Sequence, residues 1–334
     1  MFIALDEFLK IRHKLPAVDV RSEGEFAEGH IPGVINIPLL NNQERIAVGT
    51  DYKQKGQLEA IKTGFRLVGP RLNDIIDETL RIAHGELLVH CWRGGMRSAN
   101  FCRFVQMAGV KTYALKGGYK AYRQQAVASF SLPFKLMVIG GETGSGKSEI
   151  LRALKATGEQ VIDLEHLALH KGSVFGGLNL PAQPTTEQFQ NELFECLLKL
   201  DLSKRIWIED ESIAIGRIFL PEPLWRTMGR SPVVEIDVPK KDRIQRLVNE
   251  YSQTNPDQFL EAMKKITKKL GGQHFNAAAE KLMQNDWSST IDILLTYYDK
   301  AYRNGLERKQ NRVVKRISWD GQRLDEALND LLNT

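Results

Sequence analysis

Residues 134–148 read FKLMVIGGETGSGKS and contain the clearest fold signal in the chain. The apolar run from Phe134 to Ile139 predicts a buried strand. A glycine-rich turn follows, and the pattern after it predicts a helix that ends near Gly158, a natural C-cap residue. A buried strand joined to a helix by such a turn is typical of an α/β domain with a mostly parallel sheet.

The turn contains a complete Walker A sequence in the strand–helix context that this motif requires. Lys147 would neutralise phosphate oxygens, and the Ser148 hydroxyl would ligate a Mg²⁺ that accompanies the phosphates. No dedicated protein metal site is predicted. The motif binds phosphates rather than bases, so ATP, GTP and a prenyl diphosphate are all open as ligands. We expect the diphosphate to be held by Gly141, Thr143, Gly144, Ser145, Gly146, Lys147 and Ser148.

Two further strand ends in the second half carry acids. Residues 206–211, IWIEDE, form an apolar strand that ends in carboxylates, as a Walker B strand does. Val161 to Leu164 predicts another strand, and Asp163 lies at its end. We expect Asp163, Glu209 and Asp210 to lie near the substrate or its Mg²⁺, although acids at strand ends are often only solvated.

The main chemical signal of the first half is residues 90–98, HCWRGGMRS. A cysteine that leaves a buried strand and precedes glycines, arginines and a helix start is favoured as a thiolate nucleophile. We expect Cys91 and Arg97 to be catalytic, and Arg93, Gly94, Gly95 and Ser98 to complete an anion-binding loop. The alternative is a buried structural cysteine, which is the interpretation we adopt for Cys102 and Cys196.

The 334 residues fit two domains. Alternating strand and helix patterns predict an α/β domain over residues 1–128, and the pattern lapses at a linker over 129–133. Residues 134–334 then form a P-loop domain with a basic, mainly helical C-terminal part. With no apolar run long enough for a bilayer, no secretion-signal pattern and only three cysteines, we expect a cytoplasmic protein without a membrane partner.

Charge permits a nucleic-acid partner without requiring one. There are 46 Lys and Arg against 41 Asp and Glu, a net charge of +5. Between Pro239 and Met283 there are nine Lys or Arg against five Asp or Glu, with Met263, Ile266 and Leu270 spaced to face a core. A second basic run consists of Arg303, Arg308, Lys309, Arg312, Lys315 and Arg316, just after Tyr297, Tyr298 and Tyr302. Solvated helix faces and core tyrosines are the alternative interpretation.

The segment from Asp19 to Ser22, the segment from His30 to Pro38 and the Cys91 loop together resemble a rhodanese domain. In that family the cysteine carries a persulfide or, by analogy, a perselenide. Five residues separate Cys91 from Arg97, a spacing shared with cysteine phosphatases, and the longer loop would admit a phosphate or a selenophosphate.

A rhodanese domain followed by a P-loop domain resembles the tRNA 2-selenouridine synthases over nearly the whole chain. The resemblance is carried by the stretches Asn42–Gly56, Cys91–Ser98, Asp163–Gly176, Glu209–Gly216 and Tyr297–Tyr302. It implies replacement of sulfur by selenium in the wobble 2-thiouridine of tRNA, with selenophosphate as donor. It further implies an S-geranyl-2-thiouridine intermediate made from geranyl diphosphate, and a selenophosphate-supplying protein as a candidate partner.

Two other functions compete with this one. A phosphatase or kinase-like enzyme acting on small phosphates would use Cys91 as a phosphoenzyme nucleophile and would release phosphate from aryl phosphates without RNA. A non-catalytic RNA-binding or sulfur-carrier scaffold would bind tRNA without Cys91 and would form no product.

Overall fold

The computed structural model describes residues 1–307, 310–321 and 323–334, which form two α/β units. The first unit comprises residues 1–129 together with Gln190–Glu195, and the second comprises residues 130–189 and 196–334. Among the described residues, no helix combines the length and the apolar character needed to cross a bilayer.

The first unit is a five-stranded parallel sheet surrounded by helices, with strand order β1-β5-β4-β2-β3. Its core packs the strands against residues of α5 and α6, including Ile75, Phe101 and Val105. The elements are β1 (Phe2–Ile3), α1 (Leu5–Ile11), β2 (Ala17–Asp19), α2 (Glu23–Glu28), β3 (Ile35–Asn36), α3 (Asn42–Lys55), α4 (Gln57–Val68), α5 (Leu72–Ala83), β4 (Glu86–His90), α6 (Met96–Met107), β5 (Lys111–Leu115) and α7 (Gly118–Ser129), with a 3-10 turn at Gly69–Arg71.

The second unit contains another five-stranded parallel sheet, of order β12-β11-β6-β8-β7, and a short antiparallel hairpin of β9 and β10. Its elements are β6 (Lys135–Gly141), α8 (Lys147–Ala156), β7 (Gln160–Ile162), α9 (Leu164–Ala168), α10 (Thr186–Leu197, shared with the first unit), β8 (Arg205–Glu209), β9 (Ala214–Ile215), β10 (Ile218–Phe219), α11 (Glu222–Met228), β11 (Val233–Asp237), α12 (Lys240–Tyr251), α13 (Pro256–Lys264), α14 (Thr267–Leu270), α15 (Gly272–Met283), α16 (Trp287–Glu307), β12 (Val313–Ser318) and α17 (Leu324–Leu332), with a 3-10 turn at Gln310–Arg312.

The predicted fold class is confirmed, since both units have parallel sheets with helices and the C-terminal part is mainly helical. Two predicted strands are wrong in extent. The segment from Gly33 to Ile37, whose apolar residues also predict a strand, forms one only over Ile35–Asn36, the two residues in register with β2. The strand expected to reach Leu164 ends at Ile162, because the Asp163 side chain accepts a hydrogen bond from the His166 amide and caps α9.

The sequence of the lysine-rich segment predicts apolar residues that face a core and lysines that face solvent, and this prediction is confirmed. Met263, Ile266 and Leu270 are buried in a core cluster of α12 to α16, whereas Lys264, Lys265, Lys268 and Lys269 are exposed. Two members of the second basic run, Arg308 and Lys309, lie outside the described residues.

Candidate functional site

Each unit carries one predicted loop at the same place in its sheet. Cys91 directly follows β4, the middle strand of the first sheet, and the Walker A turn follows β6, the middle strand of the second. Ligands of parallel α/β sheets bind beyond the carboxyl ends of the strands. Both loops therefore occupy the position where such a fold places its chemistry.

The Cys91 loop is tightly closed around its sulfur. Cys91 is only 3% exposed, and its Sγ lies 3.3 Å from the Oγ of Ser98, which also donates to the Gly95 carbonyl. Gly118 closes the loop from outside: its φ is +59°, and a Cβ there would lie 2.2 Å from the Cys91 carbonyl oxygen. Because only glycine fits that approach, Gly118 shapes the loop although it is distant in sequence.

Arg97 is held by an acid that the sequence did not connect with it. Its guanidinium bonds Glu25 at 2.6 Å, and Arg45 contacts the same carboxylate at 2.9 Å. Burial opposes ionisation of Glu25, but the hydrogen bond and charge of Arg97, helped by Arg45, hold the pKa of Glu25 below its ordinary value. The arginine is thus fixed in orientation beside the loop, while Arg93 is exposed to solvent.

Below the loop lies a fully buried polar group. Arg21 forms an ion pair with Asp19 at 2.6 Å, and the ring of His90 lies 3.7 Å from the same carboxylate. Neither ring nitrogen of His90 has a hydrogen-bond partner among the described residues, and burial lowers the pKa of His90. His90 therefore packs as a neutral ring directly before Cys91 in the chain.

The Walker A turn has the geometry of a phosphate cradle. Gly144 and Gly146 have φ values of +83° and +79°, which direct the turn around an anion-sized space. The Nζ of Lys147 donates to the Gly141 carbonyl at 3.0 Å, and the Ser148 hydroxyl donates to Glu165 at 2.6 Å. The predicted diphosphate residues line one cavity except for Ser145, which is fully buried with no partner for its Oγ among the described residues.

Arg243 fixes the turn from behind. Its guanidinium is 3% exposed and contacts Glu142 at 2.7 Å and Asp299 at 2.8 Å. It also donates to the Thr143 carbonyl at 3.2 Å. A buried cation shared by two carboxylates and a loop carbonyl makes the cradle rigid before any ligand binds.

Several acidic residues lie in or behind the wall of the same cavity. Glu209 accepts a hydrogen bond from the Glu165 amide at 2.7 Å, and its second oxygen has no partner among the described residues. Burial first, and then the carboxylate of Asp163, raise the pKa of Glu209 well above its ordinary value. Asp163, Asp210 and Glu211 line the cavity, whereas Glu209 lies behind its wall.

These donors fit a Mg²⁺ that arrives with a diphosphate. No group of three or more His, Cys, Asp or Glu side chains in the described part of the chain has the arrangement of a metal site. Mg²⁺ is usually bound through one or two carboxylates together with substrate phosphates. The Ser148 hydroxyl and the carboxylates of Glu165 and Asp210 line the cavity and would serve in that way.

The cavity has a volume of about 850 Å³ and is lined by the cradle, the acids and residues of α12 and α16. It adjoins a gap of about 30 Å³, and the two share Thr143, Ser173, Leu247, Tyr251 and Tyr298. The remaining residues of the gap are Phe175, Ile291, Leu294 and Leu295, which are buried in the core cluster of α12 to α16. A gap of this volume holds only about one or two water molecules, so the space for a ligand is the large cavity itself.

Several contributors to the site have no local sequence signal. Glu25, Gly118 and Arg243 act on loops that are far away along the chain. Glu211 lies two residues after β8, where the sequence drew attention only to Glu209 and Asp210. Arg246 lines the cavity from α12, a helix without a recognisable motif. Of the cysteines expected to be structural, Cys102 is buried and Cys196 is only half-buried.

The raised pKa of Glu211 predicts that the stability of the unliganded protein depends on pH. Desolvation first, and then the charge of Glu165, raise its pKa from 4.5 to about 8. Between these values the folded state binds more protons than the unfolded state, so this group lowers the free energy of unfolding as pH rises. We expect Glu211→Gln to raise Tm relative to wild type at pH 8.5 and to show less gain at pH 5, without added divalent cation.

Calorimetry across this pH range would measure the effect, with Glu222→Gln as control because Glu222 is exposed on the surface of the same unit. A Tm difference that stays constant from pH 5 to pH 8.5 would contradict the assignment.

Comparisons with known proteins agree with this architecture. A family model for the tRNA 2-selenouridine synthase AAA domain matches residues 134–329, and a model for the rhodanese-like domain matches residues 4–125. A tRNA 2-selenouridine synthase from Nitrosomonas europaea is 32% identical, covering 88% of this chain and 90% of that protein. Proteins of the same name from Sulfurovum sp. and Shewanella frigidimarina are 33% and 34% identical, covering 92% and 90% of this chain and 93% and 90% of theirs. The chain belongs to the tRNA 2-selenouridine synthase family.

Proposed function

We propose that the chain replaces sulfur by selenium in the wobble 2-thiouridine of tRNA. Selenophosphate is the selenium donor, and S-geranyl-2-thiouridine, made from geranyl diphosphate, is the intermediate. The observation that carries the proposal is the presence, in one chain, of the closed Cys91 loop and of a complete phosphate cradle whose cavity of about 850 Å³ has room for a prenyl diphosphate.

The geranyl step belongs to the second unit. The amides of the Walker A turn and Lys147 bind the diphosphate, and the large cavity takes the carbon chain. Ser148 and a carboxylate would hold the accompanying Mg²⁺. The thiocarbonyl sulfur attacks C1, so the S–C1 bond forms and the C1–O bond breaks. Diphosphate leaves with the electron pair, and the uracil N3 proton is lost to solvent. Alkylation turns the sulfur into a better leaving group.

The selenium step belongs to the Cys91 loop. The Cys91 thiolate attacks the phosphorus of selenophosphate, held by the loop amides and Arg97; the S–P bond forms and selenide leaves with the P–Se electrons. Water then cleaves the S–P bond and releases phosphate. Selenide attacks C2 of the S-geranyl uridine, and the C2–S bond breaks to release geranylthiolate, which takes a proton from water.

Nucleoside mass spectrometry tests the proposal. A 2-thiouridine tRNA is incubated with the protein, geranyl diphosphate and Mg²⁺, with and without selenophosphate. We expect S-geranyl-2-thiouridine without selenophosphate and 2-selenouridine with it. Unchanged 2-thiouridine in both samples would refute the proposal, and hydrolysis of aryl phosphates by the same preparation would then favour the phosphatase.

A further inference from the structure

The α3–α4 hairpin has no part in the chemistry proposed above, although it contains the distinctive stretch Asn42–Gly56. It presents apolar side chains to solvent: Tyr52 and Phe65 are each 55% exposed, and Leu58 is 64% exposed. In α4, Leu58, Lys62 and Phe65 are spaced by four and three residues and therefore share one face. We call the exposed side chains of residues 42–68 the hairpin face.

The hairpin carries more basic than acidic residues. Its five basic residues are all exposed: Arg45, Lys53, Lys55, Lys62 and Arg66. Its three acids are Glu44, Asp51 and Glu59. Lys55 pairs with Asp51 at 2.7 Å and Lys62 with Glu59 at 2.8 Å. The hairpin therefore keeps an excess of two positive charges at its surface.

Two contacts place the hairpin beside the Cys91 loop. At one end, Arg45 of α3 binds the same Glu25 carboxylate that holds Arg97. At the other, Gln57 at the start of α4 lies 3.9 Å from the sulfur of Met96, a loop side chain that is 49% exposed. Exposed apolar groups therefore continue from the hairpin to the edge of the loop.

We propose that the hairpin face binds the single-stranded anticodon loop of the RNA substrate next to Cys91. This inference rests on the proposed function only in taking tRNA as the substrate. Unpaired bases stack on exposed aromatic rings while lysines and arginines neutralise the phosphates. The exposed rings Tyr52 and Phe65 among five exposed cations match that chemistry, whereas a protein partner would be favoured by a more continuous apolar surface with fewer exposed cations.

Fluorescence anisotropy with a labelled anticodon stem-loop RNA containing 2-thiouridine tests the stacking contacts. We expect the full-length Tyr52→Ala/Phe65→Ala variant to raise the Kd for RNA roughly 10- to 100-fold. Leu80→Ala/Met107→Ala is the control, because both residues are exposed apolar side chains of the same unit outside the hairpin. The control should bind as wild type does.

Salt dependence tests the phosphate contacts separately. Lys62→Gln/Arg66→Gln should reduce the slope of log Kd against log salt by roughly one to two, whereas Lys10→Gln on α1 should leave the slope unchanged. Unchanged RNA affinity and slope in the hairpin variants would overturn the proposal. If those variants bind RNA normally but lose only selenium delivery from a supplier protein, the face binds protein and the proposal is also wrong.

Different results would exclude the proposed function and the docking site. If wild type itself does not bind the RNA probe and leaves 2-thiouridine unchanged, the proposed function fails. If wild type binds and modifies the RNA while the hairpin variants do both equally well, only the docking assignment fails.

Discussion

Lys147→Ala is expected to abolish formation of S-geranyl-2-thiouridine and, with it, all later selenouridine. Lys147 is the cationic side chain of the cradle, and its Nζ lies 3.0 Å from the Gly141 carbonyl, over the space where the diphosphate would bind. Its charge stabilises the diphosphate more as the C1–O bond breaks and negative charge grows. Loss of one such interaction typically lowers kcat about 100- to 1000-fold.

The measurement is the rate of geranylated nucleoside formation by mass spectrometry, with saturating RNA. Lys155→Ala is the matched control, because Lys155 is an exposed lysine on the same helix α8 but does not line the cavity. A Lys147→Ala protein that has a normal melting curve and geranylates at the wild-type rate would show that the prenyl diphosphate binds elsewhere.

Cys91→Ala should separate the two steps. The variant should still geranylate the RNA, because the cradle and its cavity are formed entirely by residues of the second unit. It should make no 2-selenouridine, because the nucleophile that releases selenide from phosphorus is missing. S-geranyl-2-thiouridine is therefore expected to accumulate in the presence of selenophosphate, where wild type consumes it.

Cys102→Ala is the control for this variant, because Cys102 is a second buried thiol of the same unit. Normal selenouridine formation by Cys91→Ala would rule out the thiol as a participant. A loss of geranylation together with selenation, in a folded protein, would instead indicate that the two steps are not divided between the loops as proposed.

Local order along the chain explains what could be predicted from sequence. The strand, turn and helix at residues 134–156 and the cysteine loop at residues 90–98 are each continuous segments whose periodicity and glycines predict their own shape. The predicted segments are therefore found with nearly the expected bounds. Asp163, whose strand was drawn too long, lines the cavity of the Walker A turn.

Contacts between distant segments explain what could not be predicted. Arg97 and Glu25 are 72 residues apart, and Arg243 lies 100 residues from the Thr143 carbonyl that it binds. Glu25 and Arg243 are charged residues of α2 and α12. Nothing in the sequence around either residue distinguishes it from other charged helix residues. The cavity is likewise completed by Tyr298, Ala301 and Tyr302 of α16, about 150 residues after the Walker A turn.

Because Gln190–Glu195 belong to the first unit, the order of synthesis on the ribosome determines when that unit has all of its residues. The hydroxyls of Tyr122 and Tyr119 bond Glu195 and Asn191, each at 2.7 Å, and Arg12 also binds Glu195. Tyr119 in turn donates its amide to the Cys91 carbonyl at 2.8 Å. These contacts of the first unit form only after residue 195 has been made, a delay beyond residue 129 of roughly 3 to 13 s at ordinary elongation rates. A nascent chain paused before residue 195 would present the buried side chains of α7 to chaperones and proteases without these partners.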